Sequence, residues 1–286
     1  MNEDGSGRLV PYWLSLPGMA LFGAMLVIPL IMTAMLSFNS FEYNSGIKTD
    51  FGLHNYVTVL SDSYYYEIFW RTFRYGIIVT LLTVIIGVPE AYFLSRLGPT
   101  WRALSLVAII GPLLISVVVR TLGWVILMGN NGLVNNGLTA VGLPPMAFTY
   151  SETGVIIALV HVMMPFMIVS VWAALQKIDP ATENAASSLG ASRFTVFFRV
   201  VLPQTIPGIL SGSLIVFSLT TSAFATPTII GGRRLKVAST TIYDEFLNTL
   251  DWPLGATIAL LLVVGILVVI LSYSKLVERR YAQVFK

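Results

Sequence analysis

Residues 176–190 read Gln176-Lys177-Ile178-Asp179-Pro180-Ala181-Thr182-Glu183-Asn184-Ala185-Ala186-Ser187-Ser188-Leu189-Gly190. This polar stretch carries the marks of a short helix at both ends. Asp179 is an N-cap whose side-chain oxygen accepts from a free N–H of the first turn, and Pro180 suits the first helical position, where no N–H is needed. Gly190 suits the left-handed residue that closes a helix, because it has no Cβ to clash. Between them Ala185, Ala186, Ser187 and Ser188 are all small, so another surface can approach the helix backbone closely. A second segment follows at once, with Ser192 as its cap. Phe194, Phe197, Phe198, Val201 and Leu202 recur at helical spacing and predict one apolar face, with Arg193 and Arg199 off it. Pro203 and Pro207 are then expected to bend the chain. An ordinary interfacial loop with caps arising by chance is the plain alternative at this point.

Long apolar runs flank this loop. Of the 286 residues 56% are hydrophobic and 11% charged, against roughly 25% charged in a soluble domain. About 20 apolar residues cross a bilayer, and six runs are long enough: 12–38, 72–94, 103–128, 154–175, 206–230 and 253–273. The fold class expected is an all-α integral membrane protein, with residues 1–286 as a single transmembrane domain and a loop over about 176–204 between the fourth and fifth spans. The first run continues without charge from Val10 to Phe41. That is too long for the apolar part of a signal peptide, about 7–15 residues, so it is expected to stay as the first span.

Charge sets an expected orientation. Ten of the 17 Lys and Arg residues fall on the side of the termini: Arg8, Arg96, Arg102, Lys177, Arg193, Arg199, Lys275, Arg279, Arg280 and Lys286. Basic loops face the cytoplasm, so both termini and residues 176–204 are expected there. Arg233, Arg234 and Lys236 run against the rule. On the opposite side Asp244, Glu245 and Asp251 could guide a cation, form salt bridges with another protein, or balance the nearby Arg233 and Arg234. Acidic and basic residues nearly balance there, so no field identifies a solute.

Several chemistries are excluded. There is no cysteine, hence no disulfide, thiolate metal site or cysteine nucleophile. His54 and His161 are too few and too far apart for a metal centre. No lysine follows a glycine, so the Gly-Lys-Ser/Thr of a phosphate-binding loop is missing and this chain cannot hydrolyse ATP through one. Ionisable residues inside spans are candidates for function. Glu90, after Pro89, attracts a cationic solute or pairs with Arg96. Arg120, expected at the outer end of the third span, snorkels to head groups or meets a partner. His161 reads as a packing residue more readily than as a ligand. An ion-coupled carrier would show paired buried carboxylates or broken helices in corresponding halves; Glu90 is the single carboxylate read within a span, and no internal repeat is evident.

The run Asn184-Ala185-Ala186, Gly190, then Val200-x-Leu202-Pro203 resembles the loop signature of binding-protein-dependent ABC importer permeases of type I. That signature is Glu-Ala-Ala, a Gly after three further residues, nine more residues, then Ile-x-Leu-Pro. Here Asn184 stands where Glu is usual and Glu183 lies one residue earlier, about 100° round the helix. Arg120-Thr121-Leu122-Gly123-Trp124, Gly129 to Asn135, Asp179-Pro180 and Thr226 to Gly232 are similar to the first permease of spermidine/putrescine-type importers. Importers for opines, aminophosphonates, iron and amino-acid-like solutes share similar stretches. The resemblance implies a six-helix permease that is not an enzyme, without cofactor or metal of its own. It implies two ATP-binding subunits holding ATP and Mg, a second permease, a periplasmic binding protein and membrane lipids as partners, and no nucleic acid. It implies an inner-membrane location and a coupling helix at Asp179, Pro180, Glu183, Asn184, Ala185, Ala186 and Gly190, with Leu202 and Pro203 leading into the fifth span. By position in the subfamily Trp124, Phe224 and Pro227 join Glu90 and Arg120 as residues of the solute path.

Overall fold

A computed structural model of the chain describes residues 10–280, with side chains described for 15–275 apart from Arg233. Arg8 and Lys286, used above for orientation, lie outside the described residues, as do the side chains of Arg233, Arg279 and Arg280. The elements in order are α1 Val10–Ser37, β1 Ser40–Glu42, β2 Gly46–Lys48, α2 His54–Ser61, α3 Ser63–Arg96, α4 Pro99–Ile110, α5 Val117–Met128, α6 Leu133–Ala140, α7 Glu152–Leu175, α8 Pro180–Ser188, α9 Arg193–Val196, α10 Leu202–Thr221, α11 Ala225–Gly231, α12 Ala238–Asp244 and α13 Trp252–Arg280. Among the described residues six helical stretches are long and apolar enough to cross a membrane, α5 and α6 counting as one.

The chain divides into two compact units, Met1–Asp62 with Ile242–Leu261, and Ser63–Thr241 with Leu262–Lys286. In the first, α1 leads into a two-stranded antiparallel hairpin that the sequence reading did not foresee, with Phe41 opposite Ile47. Buried Asn55 fixes the exit of α1 by donating to the carbonyls of Ser37 and Asn39 at 3.0 and 2.8 Å. Thr257 Oγ1 donates to the same Ser37 carbonyl at 3.2 Å.

In the second unit α3, α7 and α10 pack against one another as a block. Helix α7 is apolar all round and 61% of its most apolar window is buried, as a central helix must be. Val155, Leu159, Met163, Met167 and Val171 are buried along it. Helix α10 approaches it through Gly208 and Gly212, a small-xxx-small pair. A Cβ on Gly208 would lie 2.5 Å from Ala174 Cβ and 2.8 Å from the Ser170 carbonyl oxygen. At one end of the block Arg74 pairs with Glu152 at the start of α7, and Arg71 donates to the Lys236 carbonyl at 2.8 Å.

Two expected spans are interrupted. The run 103–128 is not one helix: α4 ends at Ile110, a 3-10 turn covers Gly111–Leu114, and Ile115 and Ser116 are extended before α5 starts. Pro112 lacks an N–H and its ring disfavours a continuing helix. The run 206–230 also breaks. Helix α10 stops at Thr221 and α11 begins at Ala225. Ser239 Oγ donates to the Ala223 carbonyl at 2.6 Å, satisfying one group that the break frees. Pro203 and Pro207 do not interrupt the helix that leads into the fifth span. Helix runs from Arg193 through a π turn at Phe197–Val201 into α10, with Pro203 in its first turn. Phe194 stacks on Phe198 and Phe197 meets Phe198 edge-on, their ring centroids 5.7 and 5.0 Å apart. Val196 and Val201 are buried while Phe194 and Phe198 are exposed.

Candidate functional site

The helix marked by its caps in the sequence is α8. Asp179 Oδ1 accepts from the Ala181 N–H at 2.9 Å, and Pro180 occupies the first turn. At the other end the Gly190 N–H donates to the Ser187 carbonyl at 3.0 Å and the Ala191 N–H to the Ala186 carbonyl at 3.1 Å. This pair of bonds is the Schellman closure, and Gly190 takes φ +83° to make it. Ser187 and Ser188 return their hydroxyls to the carbonyls of Glu183 and Asn184. The outward face is therefore short, small and locally satisfied. Asn184, Ala185, Ser187, Ser188 and Leu189 are exposed there.

Glu183 lies on another side. Its carboxylate pairs with Arg96 at the end of α3, and its side chain is 16% exposed. The alternative partner considered for Glu90 is thus taken. Glu90 is exposed, and Arg96 pairs with Glu183. Leu202 and Pro203 begin α10, which continues the π turn beside α8.

A second group gathers where α5, α7 and α11 meet. Trp124 Nε1 donates to His161 Nδ1 at 3.2 Å, the rings 5.2 Å apart and edge-on. Thr121 Oγ1 and Thr226 Oγ1 share a hydrogen bond of 3.2 Å. Pro227 is buried in α11, and the Phe224 carbonyl accepts from Thr228 at the start of that helix. Arg120 precedes Trp124 by one turn. The helix restarts at Val117, so Arg120 sits in the first turn of α5. Its Nε and Nη1 are buried without a hydrogen-bond partner. Trp124, Phe224, Pro227 and Arg120 belong to this one neighbourhood. Glu90 is on α3, three residues beyond Gly87, which packs against Met164 and Met167 of α7. Sequence reasoning missed Arg96 as the partner of Glu183 and the glycine pair of α10, although the Gly208-x-x-x-Gly212 spacing was there to be read. Among the described residues no group of three or more His, Asp or Glu side chains forms a metal site.

Six membrane-length helices with a capped polar helix between the fourth and fifth make this a multi-pass membrane subunit. The chain belongs to the family of binding-protein-dependent transport system inner membrane components, which it matches over residues 6–283. It is 30% identical over 259 residues to the spermidine/putrescine transport system permease protein PotB of Haemophilus influenzae, covering 89% of this chain and 90% of the relative. Likeness to PotB of Escherichia coli K12 is 32% over 247 residues, covering 85% and 90%. A crystal structure of a bacterial alginate ABC transporter, in complex with an alginate pentasaccharide-bound periplasmic protein, contains a chain of the same fold. Its TM-score is 0.79 at 21% identity, with 96% of each chain covered. The protein is accordingly an ABC importer permease subunit of the inner membrane and not an enzyme.

Proposed function

We propose that this chain carries a polyamine or a related small polar solute from periplasm to cytoplasm by alternating access. What supports the solute class is likeness of about a third in sequence to spermidine/putrescine permeases over nearly the whole chain. In this reading both termini and α8 face the cytoplasm, and α8 docks on one of two ATP-binding subunits that hold ATP and Mg. A second, related permease closes the path, and a periplasmic binding protein delivers the solute. A helix capped at both ends transmits a push that a loose loop would absorb. Trp124, Phe224, Pro227 and Arg120 line the path, with an aromatic face available to an amine. Glu90 draws a cation toward the exit.

The test is copurification of the assembled complex followed by reconstitution with its binding protein. An ATPase is expected to come down with the chain, and its turnover to rise when spermidine-loaded binding protein is added. Absence of any ATPase would overturn the importer assembly; stimulation by another solute alone would overturn the polyamine assignment. Glu183 faces Arg96 within its own chain, so Glu183→Ala is expected to keep the ATPase bound. Its loss from the purified complex would place Glu183 at the docking surface instead.

A further inference from the structure

Glu183 is the first of four side chains in continuous contact. It pairs with Arg96, the last residue of α3. The Arg96 guanidinium carbon lies 4.9 Å from the centroid of the Tyr92 ring, and Nη2 donates to the Tyr92 hydroxyl at 3.2 Å. The Tyr92 ring in turn meets Phe197, their centroids 4.8 Å apart. Phe197 opens the π turn that leads into α10. The contacts therefore run from the middle of α8, across the end of α3, to the root of α10. The end of α3 is itself held firm. Arg102 Nη2 donates to the Ser95 and Leu97 carbonyls at 3.1 and 2.9 Å, satisfying groups that a helix end leaves open. A cation in the last turn, as Arg96 is, also suits the negative end of the helix dipole.

The position of this contact matters more than its strength. Without it α8 is joined to the membrane helices through the short connections at its two ends and through packing on α9 and the π turn. A helix held chiefly at its ends can roll about its own axis when pushed. Pinned at Glu183, it must carry α3 with it, and α3 packs with α7 and α10 as one block. We propose that Glu183, Arg96, Tyr92 and Phe197 form a latch that makes α8 move as one body with α3 and α10. Arg96 and Glu183 are positioning residues for transport, with no contact of their own to the ATPase. This rests on α8 being the docking helix.

The assembled complex in proteoliposomes, supplied with spermidine-loaded binding protein, gives the readout: ATP hydrolysed per spermidine imported. Arg96→Gln and Glu183→Gln are each expected to keep the ATPase attached and hydrolysis within about twofold of wild type. Uptake falls about fivefold, as fits the loss of one partly exposed pair, and the ratio rises by that factor. A subunit that merely folded less well would lower both rates together and leave the ratio alone. Arg96→Lys, which keeps a cation for both Glu183 and the Tyr92 ring, is expected to hold the ratio within about twofold of wild type. Unchanged ratios in Arg96→Gln and Glu183→Gln, or an Arg96→Lys ratio no better than that of Arg96→Gln, would overturn the latch. Failure of the wild-type chain to retain any ATPase would instead overturn the docking of α8, and wild-type vesicles that hydrolyse ATP without importing spermidine would overturn the polyamine assignment.

Discussion

Gly208→Leu is expected to leave little correctly packed subunit and to lower uptake by about tenfold or more. The reason is the distance at which α10 crosses α7. Even a methyl group at position 208 would meet Ala174 Cβ at 2.5 Å, the Ser170 carbonyl oxygen at 2.8 Å and Val171 Cα at 3.2 Å. None of these is the far end of a flexible side chain, so relief requires the helices to part. In lipid no hydrophobic force presses helices together, and close backbone approach through small residues is a main source of their association. Overpacking a well-packed contact costs about 1–3 kcal/mol, occasionally more, and 1.4 kcal/mol is already a factor of ten. Gly212→Ala should be milder, because its nearest neighbour is the Met167 sulfur at 2.9 Å, which can swing aside. Thermal unfolding of the purified complex checks the order. A Gly208→Leu chain that melts and transports like wild type would show that the α7–α10 crossing is looser than described.

Gly190→Val is expected to act differently, lowering uptake about tenfold while the chain still inserts and retains its other helices. Here space is not the obstacle, since an added Cβ meets nothing within 4 Å. The cost is conformational: φ is +83°, and an L-residue in the left-handed region pays about 1–2 kcal/mol, with a β-branched one at the upper end. The valine escapes by abandoning that conformation, which breaks the bonds from Gly190 to Ser187 and from Ala191 to Ala186. The end of α8 then frays where it should be stiff. Gly190→Asn should keep most of the activity, because Asn tolerates this conformation better than other residues with a Cβ. Solute uptake against the amount of inserted chain separates the two variants. Unchanged uptake with Gly190→Val would count against a stiff end of α8 being needed.

The sequence shows the spans because a bilayer imposes a length that composition reveals directly. The caps of α8 are equally readable, since Asp179, Pro180 and Gly190 act on backbone groups within a few residues of themselves. The breaks in the third and fifth spans are not readable in the same way. Gly111-Pro112 and the polar Thr220-Thr221-Ser222 lie inside runs that are apolar enough overall to read as single spans, and broken backbone at membrane depth survives only where neighbouring protein satisfies it. Ser239 does this for Ala223 from 16 residues away. The partner of Glu183 is a still longer-range fact: Arg96 lies 87 positions earlier. The offset of about 100° between Glu183 and Asn184 shows that the two face different ways, but not which way faces the protein.

The central claim is that α8 is the surface a separate ATPase grips. The chain contains no cysteine, so a single cysteine placed at exposed Ser188 reports on that helix alone, with Tyr43, 90% exposed in the hairpin, as the control position. In membranes containing the assembled complex, a short thiol-directed crosslinker is expected to join Ser188→Cys to an ATP-binding subunit and to leave Tyr43→Cys free of it. An ATPase adduct from Tyr43→Cys, or none from Ser188→Cys while the ATPase copurifies, would contradict the account.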